Sequence, residues 1–383
     1  MSPVTDQHDT SVDRRAVGEP ELQERSLSAV GTRQLLIGCV LASGIALLLA
    51  SIAARGSRPP LIEGLPDAGS LTRWALPGSR AIIDLTAVCA VGTLVLAVLL
   101  PTSGGELTAQ ARHLMRAASR WASAWLVGSL LAVPLTISEI TARSVPAVLR
   151  DGLLREFAFS TGQTQALLFM AWLAGLVAVC AGTIRRRTAA WALLALAVAA
   201  LLPPAFTGHA AHGDRHVLGV VGLTVHISAM ALWCGALLVL LTQSRTLTSV
   251  LAPVTARFSR LALVCFVTVA VTGLLTSWSR LAQPSYLWTT DYGRILVAKA
   301  VLLSLLGFLG WRHRRRTLPA LRAGRPRAFV VLAAVEVVIM AATIGVAVAL
   351  SRTAPPVREH PGLSAPAISA QLFGEPAVPT PSG

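Results

Sequence analysis

The side chains able to do chemistry in this sequence sit inside long apolar runs. His226, Met230, Trp233 and Cys234 recur at i, i+4, i+7 and i+8, which is one face of a helix. An imidazole, a thioether and a thiol on one stripe are ligands that soft, monovalent copper favours. Glu336 and Met340 are also i, i+4 neighbours. At 1.5 Å of rise per residue, His226 lies about 13 Å and Met230 about 19 Å below the outer boundary of their run. Glu336 and Met340 lie about 21 and 15 Å below the outer boundary of theirs. If the two helices touch, His226, Met230, Glu336 and Met340 surround one cavity fit for a metal ion. The plain alternative is a histidine bonded to a backbone carbonyl, with methionine and tryptophan as packing. Glu336 resists that alternative, because a mid-membrane carboxylate needs a partner, a proton or water.

A second cluster precedes this helix. His209, His212 and His216 are three of the eight histidines and fall within eight residues. Such spacing can gather two or three imidazoles around copper or zinc. The alternative is a solvated loop. Two further ionisable residues lie in apolar runs. Asp84 is about 4 Å and Lys299 about 7 Å below their outer boundaries, which allows an ion pair. Lys299 can equally snorkel to the headgroups.

These residues need a membrane bundle to position them. Of 383 residues, 54% are apolar and 13% are charged. The charged share is about half the roughly 25% of a soluble domain, which excludes a single water-soluble globule. The net charge of +15 comes from 33 basic residues, all arginine except Lys299. With this apolar fraction, the positive charge points to membrane lipids and not to nucleic acid. Cys39, Cys89, Cys180, Cys234 and Cys265 are single and form no CxxC pair, so they read as packing residues. No GxxxxGK[ST] nucleotide motif is present. No catalytic constellation emerges, and the chain reads as a non-enzyme.

Nine apolar runs approach the ~20 residues that a bilayer requires. They cover about 34–54, 81–100, 122–140, 164–184, 188–206, 217–241, 261–278, 295–311 and 328–350. The runs are continuous and rich in Leu, Ala, Val and Gly, without strand alternation. The expected fold is therefore all-α, a polytopic transmembrane helical bundle. Alternate loops carry the arginines: Arg112, Arg116 and Arg120, then Arg185–Arg187, then Arg245, Arg257 and Arg260, then seven within 312–327. The positive-inside rule makes these loops cytoplasmic, with the N-terminus inside and the C-terminus outside. Residues 1–33 read as a disordered cytoplasmic leader, and the first run as a retained anchor. Residues 34–200 form an N-terminal helical region and 201–351 a helical core. The remainder, 352–383, reads as a Pro-rich extracytoplasmic tail. Residues 144–157 read as a short interfacial helix. Trp278, Tyr286, Trp288 and Tyr292 read as an interfacial aromatic belt.

The segments GHAAH, VHISAMALWCGALLVL, YGRILVAKAVLL and VEVVIMAATIGVAVALSRTAPP resemble the copper resistance protein D (CopD) family of bacterial inner-membrane proteins. The resemblance is best over about 200–356 and weaker before it. It implies copper transport or handling across the plasma membrane, contributing to uptake, homeostasis or resistance. Copper, as Cu(I) or Cu(II), is the implied ion, with an extracytoplasmic copper-binding protein as partner. His209, His226, Trp233, Lys299 and Glu336 match recurrent family positions. His212, His216, Met230 and Met340 rest on the geometric argument alone. Similar modules in high-GC Gram-positive bacteria are fused to a cytochrome oxidase assembly factor of the CtaG type. The tail resembles the start of that junction, but the chain ends at Gly383, so that second activity is not expected of it. Two alternatives stay open: a haem-binding membrane oxidoreductase of the HemJ type, and a partner that delivers copper for oxidase assembly.

Overall fold

In lipid every backbone polar group must be satisfied within the protein, and a helix does this inside one segment. Among the described residues, the chain's apolar runs do so. The computed structural model describes residues 68–207, 216–280 and 283–352, with the isolated helical positions Gly38, Leu41 and Gly44. The leader, the tail beyond Arg352, His209 and His212 lie outside the described residues. So does the body of the first expected span.

Helix α1 is Gly69–Leu99 and α2 is Ala109–Thr141. Two short helices follow, α3 (Val145–Arg150) and α4 (Leu153–Phe157), where one interfacial helix was expected. Gly152, at φ 74°, separates them. Next come α5 (Gly162–Ala181), α6 (Arg187–Ala199), α7 (His216–Thr242) and α8 (Leu251–Arg280). The short α9 (Tyr286–Thr289) leads into α10 (Asp291–Arg312). A π-helical turn, His313–Thr317, continues into α11 (Leu318–Arg322), and α12 (Arg327–Arg352) closes the described chain. Eight of these helical segments are long and apolar enough to cross a membrane, and they coincide with the second to ninth expected runs. The protein is a multi-pass helical membrane protein.

Threonines set three helix starts. Thr108, Thr161 and Thr290 accept hydrogen bonds from the backbone N–H of Ala111, Thr164 and Gly293. Several helices overrun the expected apolar runs: α8 starts at Leu251 and α1 at Gly69. Arginines carried on an extra turn can reach the headgroups without ending the helix. Tyr292 departs from the expected aromatic belt. It is 3% exposed, packed in the tight α9–α10 turn, where a Cβ on Gly293 would fall 2.0 Å from the Tyr286 carbonyl oxygen. Trp278 and Trp288 stay exposed, as a belt requires.

Packing centres on α1 and α7. Helix α1 lies against α2, α6 and α7, while α7 also meets α8 and α12. Lipid gives no hydrophobic drive between helices, so close packing of small residues must supply the attraction. The α1–α7 crossing shows this. A Cβ on Gly92 would sit 2.1 Å from the Gly235 carbonyl carbon, and a Cβ on Gly235 would sit 2.3 Å from the Val88 carbonyl oxygen. Only hydrogen fits at either position.

The ends of α1, α5 and α8 are tied together at the arginine-rich side. Gly104 and Gly105, both at positive φ, turn a hairpin between β1 (Thr102–Ser103) and β2 (Glu106–Leu107). The hairpin joins the next basic loop through Leu107 N–H to the Arg185 carbonyl (2.8 Å) and Arg187 N–H to the Gly105 carbonyl (3.0 Å). Arg257 at the start of α8 donates to the last-turn carbonyl of Leu99 at 2.6 Å. Three of the arginine-bearing segments therefore gather at one end of the bundle.

Candidate metal centre

His226 projects from α7 onto α8. Its Nδ1 is 2.9 Å from Thr272 Oγ1. The Thr272 hydroxyl lies 2.7 Å from the Thr268 carbonyl oxygen and donates its one proton there. Thr272 can then only accept from His226, so Nδ1 carries the proton and Nε2 keeps its lone pair. A second partner on one ring nitrogen is what selects the other as a metal ligand. Met230, one turn along α7, is half-buried against the core. Lys299 on α10 is half-buried and within electrostatic reach of His226.

Glu336 is 4% exposed on α12. Its Oε2 is 3.2 Å from Nε2 of His313, on the π-helical turn after α10. The two are close enough for an ion pair but are not aligned as a hydrogen bond. The other ring nitrogen of His313 lies 2.7 Å from Thr317 Oγ1, and that hydroxyl donates to the His313 carbonyl at 2.8 Å. His313 thus repeats the arrangement of His226. Both rings give Nδ1–H to a threonine already committed to a backbone carbonyl, and both present Nε2. The pair borders a pocket of about 200 Å³ whose walls include Trp233, Phe266, Trp311, Phe329 and Arg314. Trp233 meets the Phe266 ring edge-on at 5.8 Å, and Arg314 is tethered to Ser259. Cys234 is within electrostatic reach of Glu336 and Cys265.

Of the four residues expected around one cavity, Glu336 alone is a wall of this pocket. His226 and Met230 are not among the pocket's walls. Counted from the arginine-rich ends of their helices, Glu336 and Trp233 are each about 14 Å in, while His226 is about 24 Å in. Depth from the opposite ends gives nearly the same separation, about 8 Å between His226 and Glu336. Met340 is buried in the core one turn beyond Glu336. Nor do Asp84 and Lys299 form an ion pair among the described residues. Helix α1 packs chiefly on α2 and α7, and α10 chiefly on α12, so the two side chains belong to different neighbourhoods. Asp84 is exposed, one turn from Arg80, which pairs with Glu139 at 3.5 Å. Of the outer histidines, His216 is the first residue of α7. No group of three or more His, Cys, Asp or Glu is gathered around a metal position among the described residues. His313 was missed, because seven arginines made 312–327 read as a loop. Its signals are the threonine four residues on and the helix-forming LPAL that follows.

Two family models match the chain. Copper resistance protein D matches residues 252–350, and the copper resistance protein D-like N-terminal domain matches residues 70–217. Each of the two models covers less than half of the chain, and both describe copper resistance protein D or a domain like it. The family match spans Lys299, His313, Glu336 and Met340 on one side and Asp84, His209, His212 and His216 on the other. His226, Met230 and Trp233 fall between the matched segments and rest on their geometry. The chain is also similar to the copper transport protein CutJ of Bacillus subtilis (strain 168), at 33% identity over 128 residues. That alignment covers 30% of this chain and 24% of CutJ, so the chain matches about a quarter of that relative's length. No solved structure matches the chain.

Proposed function

We propose that this protein moves copper across the bacterial plasma membrane and is not an enzyme. The observation that carries the reading is the His226–Thr272–Thr268 chain, which holds an imidazole Nε2 free inside the membrane on the same helical face as Met230. A nitrogen and a thioether on one helical face suit soft copper. The matches to the copper resistance protein D models and the likeness to a copper transport protein support the same ion. Copper collects at His209, His212 and His216, reaches His226 and Met230, and passes inward toward Glu336. An extracytoplasmic copper-binding protein or a CtaG-like assembly factor is the natural partner on the outer side. Lys299, beside His226, disfavours cation retention there and so favours onward movement.

Copper accumulation in cells with and without the gene, at equal external copper, tests this reading. Accumulation that depends on the gene is expected. Equal accumulation would reject transport. A haem Soret band from the purified protein would replace copper by haem at His226.

A further inference from the structure

We propose that His313 Nε2 and Glu336 Oε2 form a second copper station, at the arginine-rich end of the bundle. The inference rests on the copper reading above and adds a ligand, His313, and a location to it.

Four observations converge on this pair. First, the two donors face each other at 3.2 Å without hydrogen-bond alignment. Donors about 2.0–2.2 Å from one ion and 3.2 Å apart subtend about 100° at it, so a shared ion fits with little movement of either. Second, Thr317 fixes the ring with Nε2 toward the carboxylate, as Thr272 fixes His226. Third, His313 opens a π-helical turn, a rare geometry that is frequent at functional sites. Fourth, the pair borders the pocket that Trp233 also lines, leaving room for a third ligand such as water.

The donor set also fits a station on a route. One imidazole and one carboxylate hold soft copper less firmly than thiolates do. Conduction needs sites that bind enough to admit an ion and weakly enough to release it. The carboxylate balances the charge of the ion about 14 Å along α12 from its arginine-rich end. His226 then lies about 10 Å further out along α7, so the two stations form successive steps of one path.

The test is Cu(I) titration of the purified full-length chain in lipid nanodiscs, against a chromogenic Cu(I) chelator. Wild type, His313→Ala, His226→Ala and Thr317→Val are compared, with circular dichroism confirming helicity. We expect His313→Ala to bind one equivalent less than wild type while keeping the equivalent that His226→Ala loses. Thr317→Val retains the imidazole but frees its tautomer, and should weaken that same equivalent by about 10- to 100-fold. If wild type binds no Cu(I), the copper reading itself fails. If wild type binds but His313→Ala and Thr317→Val match its stoichiometry and affinity, His313 and Glu336 are a structural ion pair and the second station is rejected. Should His313→Ala fail to fold, Thr317→Val alone decides the question.

Discussion

Gly235 on α7 sits against Gly92 on α1 so closely that neither helix has room for a methyl group. This crossing holds Trp233 toward the pocket and His226 toward α8, because rotation of α7 would move both. Gly235→Ala is expected to force the helices apart and to cost about 1–3 kcal/mol or more, in the manner of an overpacked core. Thermal unfolding in detergent checks this. Gly78→Ala, with nothing near its added carbon, should leave the midpoint unchanged or raise it. An unshifted midpoint for Gly235→Ala would remove the crossing from the account.

Thr272 should act on copper through His226. Thr272→Val keeps the shape of the side chain but loses the acceptor for Nδ1–H, and is expected to weaken Cu(I) binding by about 10- to 100-fold. Thr272→Ser keeps the hydroxyl and should restore affinity to near wild type. Competition with a Cu(I) chelator reads both. Equal weakening in the two variants would point to packing and not to the tautomer.

The sequence made the helices legible but not their pairing. Runs such as 164–184 and 328–350 are long and uninterrupted, so periodicity and length sufficed to find α5 and α12. Which faces meet depends on close approaches such as Gly92 with Gly235, and one glycine reveals nothing of its partner helix. His226 was legible because a histidine inside an apolar run is expensive. Thr272 was not, since its role requires knowing that α8 packs on α7. His313 was hidden among arginines, where charge suggested a loop although the chain continues as helix to Arg322.

The gathering of the β1–β2 hairpin, Arg185–Arg187 and Arg257 at one end predicts a common side for these loops. By the positive-inside rule that side is the cytoplasm. Reporter fusions after Gly324 should read as cytoplasmic, and fusions at Gly383 as extracytoplasmic. The opposite pattern would invert the proposed route.

Replacing His209, His212 and His216 together by Ala should slow copper accumulation most at limiting external copper and little at saturating copper. A capture cluster raises local occupancy without being the crossing step. Initial rates over a range of copper concentrations separate the two regimes. Unchanged rates at limiting copper would return the cluster to a solvated loop.

The most direct test of the central claim is the initial rate of Cu(I) entry into proteoliposomes. Wild type is compared with the double variant His226→Leu with Glu336→Leu, at matched incorporation. Leucine suits the lipid environment at both positions, but Glu336→Leu leaves His313 without its facing carboxylate, so circular dichroism must show that the double variant keeps its helices before rates are compared. The account predicts saturable entry with wild type and only the protein-free leak with the double variant. Equal entry through both proteins would contradict it.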